Sequence, residues 1–323
     1  MNVSVAQQSA EAISKGSKSF AIASLLFRPH MKRHAHMLYA WCRHCDDVID
    51  GQNLGFGEDS FAGRDALPRR EDLESLTRDT DAAWRGETPA SWPFEAFQTV
   101  ALETGMPRQH PMDLLRGFEM DVDAQRYETL EDTLRYSYHV AGVVGVMMAI
   151  VMGVSPDDND TLDRASDLGI AFQLTNICRD IIDDAAIGRV YVPAAWLADV
   201  GVGPEPGDIL REVNREAVWQ VALRLMKEAD KYYQSSGPGV RRLPIRAGFA
   251  VAAARGVYRD IGRVVRVKGP RVWDKRARTS RRRKLALAGL GCIQGAGSKS
   301  LFFKALPPRA DLWQRPMLGG LTS

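Results

Sequence analysis

Apolar residues recur three and four positions apart along most of the chain, and no stretch alternates apolar with polar residues long enough for a strand. The period predicts an all-α protein. Helices are expected at 4–15, from Pro29 through Asp50, and at 69–85, 93–104 and 110–124, with Pro89, Pro93, Pro107 and Pro111 marking the joints. Further helices are expected at 130–153, at 167–184, at 211–235 up to a break at Pro238-Gly239, and at 244–267. The 130–153 segment carries Ala141, Gly142, Gly145 and Ala149 among Val and Met. A glycine inside a helix costs about 1 kcal/mol relative to alanine, so repeated glycines need a reason. Close helix packing is one. Room for an apolar ligand, walled by the adaptable Met147 and Met148, is the other.

Two of these helices carry a polar stripe on an otherwise apolar surface. At ~100° per residue, Gln173, Asn176, Asp180 and Asp184 fall on one line, while Leu168, Ile170, Phe172, Leu174, Ile177, Ile181 and Ile182 cover most of the remaining circumference. Tyr39, Arg43, Asp46 and Asp50 form a second line of the same kind, and Asp47 and Asp183 point off the two stripes. One such run alone reads equally well as a solvated helix end. Two runs with matching spacing, each embedded in apolar sequence, need something opposite them that offsets their desolvation. Carboxylates and a carboxamide are hard oxygen ligands suited to Mg²⁺, which binds through a few carboxylates and substrate phosphates. Two opposed faces of this kind would hold a diphosphate through divalent ions.

The chain has 323 residues, 45% hydrophobic and 26% charged, enough for one large core. The stripes lie more than a hundred residues apart and must meet, which favours one helical bundle around a central cavity over two domains; its boundary is set at 1–290, with 291–323 a Gly- and Pro-containing tail. The formal net charge of +3 hides an asymmetry: residues 263–284 hold eleven Lys or Arg and one acid, Asp274. Such a block fits a phosphorylated substrate, an anionic lipid surface, nucleic acid or a plain solvated face. Cys42, Cys45, Cys178 and Cys292 do not make a disulfide framework, and Cys42-x-x-Cys45 lacks a second pair for zinc. No signal peptide is evident, and the uncharged run 140–154 reads as a buried helix, so a cytoplasmic protein without a membrane span is expected. Lys15-Gly-Ser-Lys-Ser-Phe20 offers an N–H, hydroxyl and ammonium cradle for an anion, or an ordinary helix start.

Cys-Asp-Asp-Val-Ile-Asp at 45–50 and Asn-Ile-Cys-Arg-Asp-Ile-Ile-Asp-Asp at 176–184 resemble the two aspartate-rich motifs of the squalene/phytoene synthase family. Met-Leu-Tyr-Ala-Trp-Cys-Arg-His-Cys-Asp-Asp-Val-Ile-Asp (37–50), Tyr-His-Val-Ala-Gly-Val-Val-Gly (138–145) and Leu-Trp-Gln-Arg-Pro (312–316) resemble its bacterial phytoene synthase branch. The resemblance spans about 17–316, with the motifs in the family's order. It implies an isoprenoid-synthase-type bundle that joins two geranylgeranyl diphosphates head to head through a cyclopropyl diphosphate to give phytoene. The alternative within the family is a squalene or dehydrosqualene synthase acting on farnesyl diphosphate. Carried over by motif position, Asp46, Asp50, Asn176, Asp180 and Asp184 are the expected metal ligands, for Mg²⁺ or alternatively Mn²⁺. Ser17, Lys18, Ser19, Arg43, Arg179 and Arg271 are the expected diphosphate contacts, and Tyr39, Tyr136, Gln173 and Tyr258 the lining of the reacting centre. Tyr127 and His139 receive no role. No strand-associated GxGxxG is present, so no NADPH is expected. Peripheral attachment to the anionic inner face of the membrane is expected, with Arg281-Arg-Arg-Lys284 assigned to lipid, no nucleic-acid partner, and contacts with other carotenoid-pathway enzymes.

Overall fold

The helix expected at 167–184 extends over Asn159–Ala186, and the remainder is packed around it. The computed structural model describes residues 4–51, 69–274, 309 and 311–317, excepting the side chains of Lys18 and Ser19, and every regular element among them is helical. In chain order these are α1 (Val5–Gly16), α2 (Lys18–Ser24), α3 (Pro29–Asp50), α4 (Arg70–Trp84), α5 (Trp92–Thr104), α6 (Gln109–Val122) and α7 (Leu130–Ser137). One turn of π-helix, Tyr138–Gly142, leads into α8 (Val143–Val151) and then α9 (Asn159–Ala186). The short α10 (Ala194–Asp199) and α11 (Pro206–Leu210), the long α12 (Arg215–Val240) and α13 (Ile245–Lys268) complete the bundle, and a 3₁₀ segment, Gly269–Asp274, follows.

Asp158 caps α9, its carboxylate accepting from Thr161 N at 3.1 Å. Leu162, Leu168, Ile170, Ala171 and Cys178 are buried on different sides of the helix, because α12 runs along it, α8 and the π turn cover a second flank and α13 and α11 others. Pro29 occupies the first turn of α3, where its missing N–H costs nothing. Gly51 ends α3 at φ +61°, a left-handed position that glycine adopts without strain, and its N–H closes on Asp47 O. Between those ends α3 packs on α1 and α5, where Trp41 stacks on Phe97 at 4.4 Å and donates to Thr80 Oγ1 at 3.3 Å.

The small-residue segment resolves into packing. A Cβ on Gly169 would lie 2.1 Å from Ala141 O, and one on Gly145 would lie 2.4 Å from Ala165 O. These helices touch backbone to backbone, which only glycine permits. The segment is not the single α-helix expected at 130–153, since the π turn divides it. From α6, Asp113 accepts from Tyr138 Oη at 2.8 Å through its carboxylate, and its carbonyl lies 2.8 Å from His139 Nδ1. By length and composition Leu130–Val151 could cross a bilayer, and 67% of its most apolar window is buried in the bundle. The expected break at Pro238 is also absent, for α12 continues to Val240. There the proline sits in the last turn and forfeits only its own bond to Gln234 O, and Arg255 of α13 donates to Tyr233 O at 3.1 and 2.6 Å. A distant strap closes over the N-terminal half of α9. Arg309 donates to Asp167 at 2.8 and 2.6 Å and to Asp163 at 3.0 Å, and Arg315 donates to Asp163 at 2.7 Å.

Candidate active site

On α3, Arg43 is half-buried among acids. Its Nη1 lies 2.9 Å from Asp46 Oδ2, and its Nε and Nη2 donate to Asp47 Oδ1 at 2.9 and 2.5 Å. Asp46 is 41% exposed at its side chain. Burial, then the neighbouring Asp50, push its carboxyl up to about 6, with Arg43 pulling the other way. Tyr39 approaches Gly16 so closely that a Cβ there would lie 2.4 Å from Tyr39 Oη, so the glycine before Ser17 makes room for the tyrosine. Ser17 stands at the start of α2 and makes no side-chain cap bond.

On α9, Asp180 is buried and takes two donors from Arg179, one of them Nε to Oδ1 at 2.8 Å. Asn176 donates to Gln173 Oε1 at 3.3 Å, and its own Oδ1 is buried with no hydrogen-bond partner. A buried carbonyl oxygen lacking a donor, on the same line as Asp180 and Asp184, fits a cation ligand. Burial and then Asp180 push the Asp184 carboxyl up to about 8. Asp183 is exposed, off the line as its spacing predicts. Phe172 and Tyr258 stack at 4.1 Å with their planes 19° apart.

The two faces are joined by residues outside both motifs. Arg189, in the link after α9, donates to Asp50 Oδ1 at 2.9 Å and acts electrostatically on Asp184 and Asp121. Asp121 near the end of α6 accepts from Tyr191 Oη at 2.9 Å and from Tyr136 Oη at 3.1 Å. Burial pushes Asp121 up to about 6, while Arg189 and the two hydroxyls draw it down. Asp121 in turn acts on Asp46, so acids of α3, α6 and α9 share one field. Burial raises these carboxyls together, and repulsion between neighbouring acids adds to it. An all-oxygen donor set in that condition suits hard divalent ions.

A family model described as squalene/phytoene synthase matches residues 13–283. The chain belongs to that family. It is accordingly a prenyltransferase, and its substrate is a prenyl diphosphate. It is 50% identical over 307 residues to phytoene synthase of Pseudescherichia vulneris, covering 95% of this chain and 96% of that one. It is 48% identical over 317 residues to 15-cis-phytoene synthase of Pantoea ananas, covering 98% and 99% respectively. Among solved structures, a ligand-bound dehydrosqualene synthase aligns with a TM-score of 0.77 at 26% identity, over 91% of this chain and 97% of that one. The all-α, isoprenoid-synthase-type bundle expected from the sequence is therefore present.

Within this family framework the structure brings Asp46, Asp50, Asp184 and Tyr136 into one network, with Asp180 and Asn176 along the same α9 line. Arg271 stands exposed on the 3₁₀ segment. The side chains of Lys18 and Ser19 and all of Arg281–Lys284 lie outside the described residues. Tyr127, to which the sequence assigned nothing, neighbours the site, whereas His139, equally unassigned, is held at the Asp113 carbonyl. Tyr127 packs edge-on against Tyr136 at 5.3 Å, and Tyr136 stacks on Tyr191 at 4.6 Å. Asp121, Arg189 and Tyr191 are the residues the motif reading missed. Their only signal is an Arg-x-Tyr pair directly after the second acid helix and an acid that ends an amphipathic one.

Proposed function

We propose that the chain is a 15-cis-phytoene synthase, which joins two molecules of geranylgeranyl diphosphate head to head. The supporting observation is the convergence of acids from α3, α6 and α9 around Arg189, in a chain about half identical, nearly end to end, to proteins named phytoene synthase. Asp46, Asp50, Asn176, Asp180 and Asp184 would hold Mg²⁺, or Mn²⁺ in its place. When bound, such ions supply Lewis-acid neutralisation of the charge that gathers on a departing diphosphate. Arg43 and Arg179 are paired with neighbouring acids and exchange those partners for phosphate oxygens when substrate enters, with Ser17, Lys18, Ser19 and Arg271 as further contacts. Tyr39, Tyr136, Gln173 and Tyr258 line the reacting centre, where aromatic faces attract developing cationic charge. Apolar walls keep out water that would quench the cation.

The C1–O bond of the first substrate breaks and its electron pair leaves with diphosphate. The double bond of the second substrate attacks C1, and loss of a proton closes a cyclopropyl diphosphate. The second diphosphate then leaves, the skeleton rearranges, and a further proton is lost to give phytoene. Nothing is reduced, so no NADPH is consumed. Because substrate and product are oily, the reading extends to a cytoplasmic protein held peripherally at the anionic inner face of the membrane. In the basic block, Arg263 and Arg266 are engaged with Asp260 and Asp230 at 2.9 and 2.6 Å. The cluster 281–284 is the lipid contact in this reading.

The test is incubation of purified protein with Mg²⁺ and either farnesyl or geranylgeranyl diphosphate, with and without NADPH, and identification of the hydrocarbon by mass. Phytoene from geranylgeranyl diphosphate without reductant is expected. Turnover of farnesyl diphosphate alone, or product only with NADPH, overturns the reading.

A further inference from the structure

At the opposite end of α3 from the acids, two histidines and a glutamate converge on one point. His30 and His34 stand one turn apart, and Glu103 near the end of α5 reaches across to both. Glu103 Oε2 lies 3.2 Å from His30 Nε2 and 2.9 Å from His34 Nε2. One ligand atom from each of the three residues falls within 4.8 Å of the other two. Ligands at 2.0–2.1 Å in a tetrahedral shell stand about 3.4 Å apart, so two edges of this triangle are already near that spacing. The imidazoles pack together at 4.1 Å between centroids, His34 buried and His30 68% exposed, which leaves the outer side open to a water ligand.

We propose that His30, His34 and Glu103 bind a divalent transition-metal ion of the Zn²⁺ class and thereby clip the start of α3 to the end of α5. Two imidazole nitrogens and one carboxylate oxygen favour such an ion over Mg²⁺, which prefers oxygen alone. Arg33 shares Glu103, at 3.0 and 3.3 Å. It is 42% exposed, and an exposed ion pair of this kind holds its partner weakly, so the guanidinium gives way to the ion and swings into solvent. Asp46 lies twelve residues beyond His34, about 18 Å along the helix, so the site is separate from the diphosphate chemistry. Its effect is on the anchoring of the helix that carries Arg43, Asp46 and Asp50.

Cobalt provides the readout, because Co²⁺ substitutes for Zn²⁺ and absorbs visibly when tetrahedrally ligated. Full-length protein is stripped with chelator, returned to saturating Mg²⁺ so that the acidic faces are occupied, and titrated with Co²⁺. One equivalent should develop intense ligand-field bands that Zn²⁺ abolishes. His30→Ala and Glu103→Gln, both surface changes that spare buried His34, should weaken this binding at least about tenfold, since loss even of a supporting residue costs 10–100-fold. Turnover with Mg²⁺ alone should be the same in all three proteins, and Zn²⁺ should raise the melting temperature of the wild type more than that of either variant. Absence of the bands, or identical Co²⁺ titrations in wild type and both variants, overturns the proposal.

Discussion

Asp183 and Asp184 are adjacent in sequence and opposite in surroundings, one exposed and one pushed up to about 8 by burial and Asp180. Charge at position 184 therefore has to be matched by a cation, whereas charge at 183 is matched by water. Asp184→Asn should lower turnover at least about a hundredfold, the scale of losing one aligned electrostatic contact in a reacting centre. Asp183→Asn should stay near wild type, and steady-state kinetics at fixed Mg²⁺ separates the two. Equal losses in both variants would mean that the α9 line is not the reactive face. The distinction was legible in the sequence because helical periodicity assigns each acid to a side. Asp121 was not legible, since a single acid at a helix end reads as solvated until the fold closes Tyr136 and Tyr191 over it. Arg189 escaped for a related reason: nothing in an irregular link fixes where its side chain points.

Helix boundaries at α3, α4, α5, α6 and α13 followed from Pro, Gly and apolar spacing, because those signals act within one or two turns. The π turn at Tyr138–Gly142 did not, because it depends on Asp113 of α6, which a reading of the segment alone does not include. The same holds for the purpose of the glycines. In sequence, packing and ligand space were equal readings, and only the partner backbone decides between them. Gly169→Ala would set a methyl 2.1 Å from Ala141 O, where backbone rather than a flexible side-chain end must yield. The π turn and α9 would have to separate. Overpacking of this kind costs typically about 1–3 kcal/mol. Denaturant unfolding should show that loss, together with reduced turnover, because α9 carries Asn176, Asp180 and Asp184. The control Gly207→Ala, inside α11 where an added Cβ meets nothing within 4 Å, should lower neither.

Taken as one molecule, the bundle gathers carboxyls that its own arginines only partly neutralise, and this makes stability depend on pH and on metal together. The folded chain holds Asp184 at about 8 against an ordinary 3.8. A carboxyl raised on folding contributes stability while it is protonated, in full below its unfolded value, and loses it as pH climbs through the folded value. Asp46 and Asp121, at about 6, complete that loss at lower pH. Buried histidines such as His36 and His110, lowered from 6.5 by burial, act in the opposite sense, costing stability as pH falls below 6.5. Between about pH 7 and about pH 9 the histidines are neutral in both states, and Asp184 is left as the titrating member of the acid cluster. Over that interval the melting temperature of metal-free protein should therefore fall more steeply in wild type than in Asp184→Asn. A divalent ion that binds the ionised acids favours the deprotonated fold, so the stabilisation by Mg²⁺ should grow as pH rises. Melting curves in chelator and in Mg²⁺ across that range check both statements. A Mg²⁺ effect that shrinks with rising pH, or equal slopes in the two proteins, would show that the raised carboxyl of Asp184 is not linked to metal binding.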